Sequence, residues 1–248
     1  VSTGAALPRA TGLHCTGRAA GRDRMRPALP PMVPAIDDAA PGRRDRRLLG
    51  FCRLCGTAHP AALRGHAVPA TIILARHPPV AQAWQKRCYG QSDPGLSRAG
   101  QAMVAPLVDQ LAAFKPDVII HSDMKRTRAI ALPLAEKLGI VPIAEPVWRE
   151  RDFGSWEGQN WNAIYRATGN AMDGMIDAPD TFRPGGSGET TRQLIDRITT
   201  ALAGVPRKGS IIIITHGGPI ACARATQLAD VVEMIPDLVP STGSVTLL

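Results

Sequence analysis

Three short, uninterrupted apolar runs constrain this chain more than any other feature: Thr71-Ile-Ile-Leu-Ala75, Asp117-Val-Ile-Ile-His121 and Ser210-Ile-Ile-Ile-Ile-Thr215. A strand that is apolar at consecutive positions must be covered on both faces, which happens in the middle of a parallel sheet with helices on each side. Helical segments lie between the runs. Ser97 can cap a helix running through Ala102, Val104, Leu107, Val108 and Leu111, with a kink expected at Pro106. A second helix is predicted from Thr127 to Leu138, stopped by Gly139. A third is predicted from Thr190 to Ala203, with Leu194, Ile195, Ile198 and Leu202 on one face. The alternation implies an α/β fold for residues 71–248, a three-layer sandwich with a mostly parallel central sheet flanked by helices.

Residues 1–70 have a different character. They are rich in Ala, Arg, Pro and Gly, show neither helical nor strand periodicity, and contain Phe51 as their one aromatic residue. Such a segment buries too little apolar area to offset its ordering entropy, so it is expected to be disordered. A true start at Met25, Met32 or Val68 would also fit. The segment carries 11 Arg and 4 Asp, a balance of +7, out of a net charge of +8 for the chain. The body is therefore close to neutral, and no nucleic-acid-binding face is expected. Cys52-Arg-Leu-Cys55 with His59 and His66 resembles a zinc-ligand set. However, His59 follows Cys55 too closely for an ordinary finger, and coincidence is the simpler account.

The five cysteines (Cys15, Cys52, Cys55, Cys88, Cys222) are odd in number in a chain of 248 residues, which argues for free thiols in a reducing compartment. No stretch approaches the ~20 apolar residues of a membrane helix, and residues 1–13 lack a signal peptide's apolar core. A soluble, cytoplasmic protein is expected, with no membrane partner. Its oligomeric state is left open.

In open α/β sheets, ligands bind beyond the carboxyl ends of the strands. After the first run comes Arg76-His77. After the second comes Ser122, with Lys125, Arg126 and Arg128 close behind. After the third comes His216-Gly217-Gly218. Arginine forks match phosphate oxygens, a neutral imidazole can attack phosphorus, and a second imidazole can hold the equatorial oxygens. Gly217 and Gly218 allow close backbone approach, and a helix beginning at Pro219 would present its N-terminal dipole to an anion. No Asp/Glu cluster suited to a divalent cation is apparent, so no metal or other cofactor is expected. A lone Arg-His or a lone His-Gly-Gly is more often a surface feature. Their joint appearance at separate strand ends carries the functional reading.

These residues resemble the histidine phosphatase superfamily, the phosphoglycerate-mutase-like group, over the whole of residues 71–248. Leu74-Ala-Arg76-His77 is similar to the family's Leu-x-Arg-His-Gly signature, and Ser122-Asp-Met-Lys-Arg126-Thr-Arg128-Ala129 to its Ser-x-Leu-x-Arg-x-x-x-Thr-Ala segment. Trp148-Arg-Glu150-Arg-Asp-Phe153-Gly154-Ser-Trp156-Glu157-Gly158 is similar to its Leu-x-Glu-x-x-Phe-Gly-x-Trp-Glu-Gly block. Pro184-Gly-Gly-Ser-Gly-Glu189 is similar to its Pro-Gly-Gly-Glu-Ser loop with one residue inserted, and Thr215-His216-Gly217-Gly218 to its second histidine motif. A narrower resemblance, of Arg87-Cys88-Tyr89-Gly90-Gln91-Ser92-Asp93 with Leu96-Ser97, is to the α-ribazole phosphatases of cobalamin synthesis. The sequence departs from the family at Pro78-Pro79, where glycine is usual and where proline offers no backbone N–H to phosphate.

The resemblance implies a phosphomonoester hydrolase acting on a small-molecule substrate, with α-ribazole 5′-phosphate as the specific expectation. A broad-specificity phosphatase, a mutase-like enzyme or an inactive phospho-ligand binder are the alternatives. His77 would be the nucleophile and Glu150 the proton donor. Arg76, Arg126, His216 and the Gly217 backbone would hold the phosphoryl group. Gln91, Ser92 and Glu189 are further substrate-binding candidates, and the 159–183 stretch offers Trp161, Tyr165, Arg166, Phe182 and Arg183 for the leaving group. Cys88 is read as a packing residue beside Tyr89, not as a nucleophile.

Overall fold

The computed structural model describes residues 69–248, apart from residues 170, 229 and 230. The basic N-terminal segment and its Cys52, Cys55, His59, His66 set lie outside the described residues.

The elements run β1 (Thr71–Arg76), α1 (Arg98–Ala102), α2 (Val104–Ala112), β2 (Val118–His121), α3 (Lys125–Leu138), β3 (Ile143–Ala144), α4 (Trp161–Thr168), α5 (Gly174–Asp177), α6 (Thr191–Ala203), β4 (Ser210–Thr215), α7 (Gly217–Ala225), α8 (Val231–Leu238) and β5 (Val245–Leu247), with short 3-10 turns between them. The sheet order is β3-β2-β4-β1-β5. β1 and β2 each run parallel to β4 and β3 runs parallel to β2, while β5 closes the sheet antiparallel to β1. The three apolar runs thus occupy the central strands, as two-sided burial requires.

Alternate side chains of each strand enter different cores. Leu74, Ile120, Ile211 and Ile213 face a core completed by α6, α7 and α8. Ile73, Ala75, Ile119, Ile212 and Ile214 face one completed by α2 and α3. Ile211 through Ile214 are all fully buried. Truncating any one of them to alanine should cost about 2–5 kcal/mol, the lost transfer energy plus a cavity.

Local chemistry sets the helix ends. Ser97 accepts a hydrogen bond from Gly100 N–H at 2.9 Å and caps α1. Proline logic holds but gives a break, not a kink: α1 stops at Ala102 and α2 starts at Val104, because Pro106 has no N–H for the Ala102 carbonyl and its ring would crowd it. α3 begins at Lys125, two residues before the expected Thr127, and ends at Gly139 with φ 67°. Thr190 caps α6 in a reciprocal capping box with Gln193. α7 begins at Gly217, two residues before the expected Pro219, so His216 itself is the N-cap. Two short strands, β3 and β5, escaped the sequence reading because neither is a continuous apolar run.

Candidate active site

Parallel pairing fixes where the chemistry lands. β1 and β4 are in register from Thr71↔Ser210 to Arg76↔Thr215, and β2 reaches His121↔Ile214, so three strands end on one edge of the sheet. That edge carries Arg76 and His77 from β1, Ser122 and Arg126 from β2 and the start of α3, and His216, Gly217 and Gly218 from β4 into α7. The His77 and His216 rings lie 5.2 Å apart, centroid to centroid.

Hydrogen-bond partners assign both tautomers. His77 Nδ1 is 2.7 Å from the Pro78 carbonyl oxygen. A carbonyl only accepts, so Nδ1 carries the proton and Nε2 holds a free lone pair. That Nε2 is buried and has no partner, and neither does the buried Nε of Arg76. For His216 the logic runs the other way. Arg126 Nε donates to its Nδ1 at 3.1 Å, so a neutral ring carries its proton on Nε2, 2.8 Å from Ser122 Oγ. Burial first, then the charges of Arg126 and Arg76, pushes His77 down to about 3. Burial and the same arginines hold His216 well below its usual range. Both imidazoles are therefore neutral at neutral pH. Burial, with Glu157 and Glu150 nearby, raises the Cys88 thiol, which makes it a poor nucleophile.

Glu150 comes from the segment between β3 and α4. Its Oε1 accepts from Arg151 N–H at 2.9 Å and its Oε2 from Gly218 N–H at 3.3 Å. The α7 N-terminus therefore holds the carboxylate. Glycine at 218 leaves room for that carboxylate, since a Cβ there would stand 2.3 Å from Glu150 Oε1 and push it aside. Gly185 and Gly188 of the Pro184–Glu189 loop are tight for a similar reason: a Cβ at either would stand within 2.6 Å of backbone in Asp152–Trp156.

Arg126 is held by the Gly90–Ser92 loop. Its Nη1 donates to the Ser92 carbonyl at 2.8 Å and its Nη2 to the Gly90 carbonyl at 2.7 Å. Glu157 organises that loop in turn, accepting from Gln91 N–H at 2.8 Å, Ser92 N–H at 2.7 Å and Ser92 Oγ at 2.8 Å. Tyr89 packs against the same group, with its ring 5.2 Å from the Arg126 guanidinium carbon and 6.3 Å from the His77 ring.

A cavity of about 590 Å³ opens beside these residues. Arg76, Tyr89, Glu150, Gly217 and Gly218 line it, together with the apolar side chains of Phe153, Trp161, Met175, Ile176 and Ile235. His77 is fully buried and is not among the residues that line the cavity.

The expected core residues Arg76, His77, Arg126, Glu150, His216 and Gly217 all stand on this edge. The other candidates do so unevenly. Ser92 is committed to Glu157, and Gln91 reaches the Glu150 carbonyl at 3.4 Å. Glu189 is absent from the cavity wall, because its carboxylate is gripped by Arg197 Nε and Nη2, both at 2.7 Å. Arg197 also donates to the Val147 and Arg149 carbonyls, so this pair fixes the approach to Glu150. Of the five residues of the 159–183 stretch, Trp161 lines the cavity. Phe182 packs on Trp156, and Arg183 donates to the Gly188 carbonyl. Sequence reasoning passed over Tyr89, Ser122, Arg151 and Glu157 as site residues. Ser122 and Tyr89 carried a signal, one by following a central strand and the other by standing in the Arg87–Asp93 motif. Among the described residues, no group of three or more His, Cys, Asp or Glu side chains is placed to hold a metal ion. No described helix is long and apolar enough to cross a membrane.

Comparison with known proteins points the same way. The model of the histidine phosphatase superfamily (branch 1) matches residues 72–248. The metal-independent phosphoserine phosphatase of Arabidopsis thaliana is 28% identical over 152 residues, 59% of this chain and 64% of that one, so the match spans less than two thirds of that relative. The glucosyl-3-phosphoglycerate phosphatase of Mycobacterium tuberculosis is 27% identical over 169 residues, 63% of this chain and 74% of the relative. The α-ribazole phosphatase structure from Shigella flexneri superposes with a TM-score of 0.62, covering 71% of this chain and 89% of the other, at 18% identity. That likeness is one of fold.

Proposed function

This chain belongs to the histidine phosphatase superfamily, and from that premise we propose that it hydrolyses phosphomonoesters by double displacement through a phosphohistidine. The observation that carries the reading is the pair of buried, unpartnered nitrogens, His77 Nε2 and Arg76 Nε. Leaving such groups unsatisfied costs about 1–3 kcal/mol or more each, a cost a phosphoryl group accepting from Arg76 and bonding to His77 would remove.

In the first step the His77 Nε2 lone pair attacks phosphorus, the ester P–O bond breaks and Glu150 gives its proton to the departing oxygen, releasing the alcohol. Arg76, Arg126 and the Nε2–H of His216 stabilise the charge on the phosphoryl oxygens. In the second step water attacks phosphohistidine, Glu150 takes a proton from that water, and His77 is regenerated with inorganic phosphate as product. Pro78 keeps a use here despite its missing N–H, because its carbonyl sets the His77 tautomer.

A narrower reading takes α-ribazole 5′-phosphate as the substrate, in cobalamin synthesis and in the cytoplasm. It is supported by the placement of Tyr89 and Gly90, from the motif that suggested it, in the wall of a cavity whose apolar lining, Phe153, Trp161, Met175, Ile176 and Ile235 among it, suits a flat aromatic base. The buried free thiols Cys88 and Cys222 fit a reducing compartment. The test is phosphate release in EDTA from α-ribazole 5′-phosphate, 3-phosphoglycerate and p-nitrophenyl phosphate. Release from all three supports the mechanism, and a strong preference for the first supports the narrower substrate. No release from any of them would reduce the protein to a phospho-ligand binder.

A further inference from the structure

We propose that the Ser122 hydroxyl donates directly to a phosphoryl oxygen, as the last donor of a one-way hydrogen-bond chain that starts at Arg126 and passes through His216. The proposal deepens the phosphatase reading above and rests on it.

The strand order puts Ser122 in place. Ser122 N–H donates to the Ile214 carbonyl at 3.0 Å, and His77 N–H donates to the Thr215 carbonyl at 3.1 Å. β2 and β1 thus flank the end of β4, with Ser122 on one side of His216 and His77 on the other. All three residues are fully buried. The Ser122 carbonyl is clamped as well, accepting from His121 Nδ1 and from Thr127 Oγ1, both at 2.6 Å. The hydroxyl therefore projects from a fixed backbone.

A neutral imidazole has one N–H. Arg126 Nε donates to His216 Nδ1 at 3.1 Å, so that single proton is on Nε2, and Nε2 is 2.8 Å from Ser122 Oγ. Ser122 Oγ therefore accepts from His216. It accepts again from Met124 N–H, at 3.4 Å. Both contacts of the oxygen are with donors, so its own proton has no acceptor among the described residues. His216, as it stands, has no second proton to offer a phosphoryl oxygen, whereas Ser122 has one.

Other buried hydroxyls of this fold find a carbonyl. Thr127, Thr191 and Thr215 donate to the Met124, Met175 and Trp148 carbonyls at 2.8, 2.5 and 2.6 Å. Thr190 accepts from Gln193 N–H, as the cap of α6. A buried O–H left without an acceptor is costly. Beside Arg76 Nε and His77 Nε2 it is a third unmet group at the site, making two donors and one lone pair. A phosphoryl group meets all three, with two oxygens and an electrophilic phosphorus.

All donors of the chain point one way: Arg126 Nε–H to His216 Nδ1, His216 Nε2–H to Ser122 Oγ, Ser122 O–H to the phosphoryl oxygen. Each bond polarises the next in surroundings of low dielectric, and a cation stands at the far end. No proton leaves Ser122, and its bond strengthens as charge builds on the oxygens. The part His216 plays in stabilising that charge is thus carried through this hydroxyl. Because the donor is held before the substrate arrives, little reorganisation is needed at the moment of reaction.

The experiment is a crystal structure of the full chain with orthovanadate, a phosphate analogue, together with the orthovanadate affinity of the wild type, Ser122→Ala and Ser122→Thr. In the wild type a vanadate oxygen should lie about 2.5–3.0 Å from Ser122 Oγ, while Oγ keeps its bond to His216 Nε2. Ser122→Ala should bind vanadate about tenfold to a hundredfold more weakly, the worth of one hydrogen bond to a charged group. Ser122→Thr, which keeps the hydroxyl, should recover most of that affinity. A serine that merely holds the His216 ring predicts the opposite sign, because its removal frees Nε2–H for the anion and the affinity of Ser122→Ala holds or rises. That result would overturn the proposal. So would a vanadate contacted by His216 Nε2 with Ser122 Oγ out of hydrogen-bond reach, an outcome read from the wild type even where a variant fails to fold. Turnover of p-nitrophenyl phosphate by the wild type, measured alongside, separates the two ideas. Weaker binding in Ser122→Ala without wild-type turnover leaves Ser122 its contact and removes the phosphatase, and turnover with undiminished binding in Ser122→Ala does the reverse.

Discussion

Replacing Gly218 with alanine should separate the acid from the nucleophile. A Cβ at 218 would stand 2.3 Å from Glu150 Oε1 and 3.5 Å from Leu194 Cδ2. An ordinary carbon–oxygen contact needs ~3.3 Å, so the carboxylate must move by about 1 Å, a misplacement that typically costs about 10²-fold. The backbone itself does not object. Gly218 lies in the first turn of α7 and is not among the glycines with positive φ, and alanine is worth up to about 1 kcal/mol more than glycine in a helix. Stability should therefore hold or rise while chemistry suffers. For 3-phosphoglycerate, whose alkoxide leaves poorly, kcat should fall by about 10²-fold or more, since general acid catalysis is worth 10²–10⁴. For p-nitrophenyl phosphate, whose phenolate needs no proton to leave, the fall should be much smaller. The assay is kcat on both substrates with a thermal melt of the same sample. Equal losses on the two substrates, with the melt unchanged, would refute the assignment of Glu150 as the acid, and so would undiminished turnover of 3-phosphoglycerate.

His77→Ala should leave at most a trace of turnover, and the base-stable, acid-labile phosphoenzyme trapped from wild type by rapid quench should be missing. His77 is held near 3 when folded but has its ordinary value of 6.5 when unfolded, so the unfolded chain binds the extra proton between those limits. Stability is then full above about pH 6.5 and falls as pH drops toward 3. By pH 5 the loss from His77 alone is about 2 kcal/mol, read from the urea midpoint and reduced in His77→Asn. Arg197→Met strands Glu189, which is 13% exposed, and should cost about 2–3 kcal/mol with a lower Tm and a lower kcat. Adding Glu189→Leu should recover part of the Tm, because it removes the stranded charge.

How much of this was legible in the sequence depended on whether one residue type carries its meaning alone. The central strands were legible because Ile211–Ile214 have no polar face to offer water, and the site edge followed from what comes after each run. α3 and α7 began two residues early because their starts lack the side-chain caps that mark α1 and α6: Met124 and His216 stand where a Ser or Thr would have given the sign. Glu189 illustrates the opposite failure. A carboxylate in a glycine-rich loop near the acid looks available, yet its partner Arg197 lies eight residues on, one face of α6 away, and nothing in local sequence says that the two meet. Glu157 was hidden for the same reason, since it takes its role from contacts far along the chain.

Those distant contacts also divide the work between the two arginines proposed to hold the phosphoryl group. A guanidinium has five N–H donors. Arg126 spends three on the protein, at Gly90, Ser92 and His216. Its position is thereby fixed by the loop that Glu157 holds, and the bond to His216 Nδ1 decides that Nε2 is the ring nitrogen that carries the proton. Arg76 spends Nη1 on the Pro240 carbonyl and keeps its buried Nε unpartnered, as His77 keeps its Nε2. Arg76 is thus the arginine with a donor waiting where the phosphoryl group would sit, while Arg126 mainly sets the charge and the tautomer around it. A lysine at 126 could supply the charge but not three fixed directions, so its loss should show in the geometry of His216 as much as in phosphate affinity.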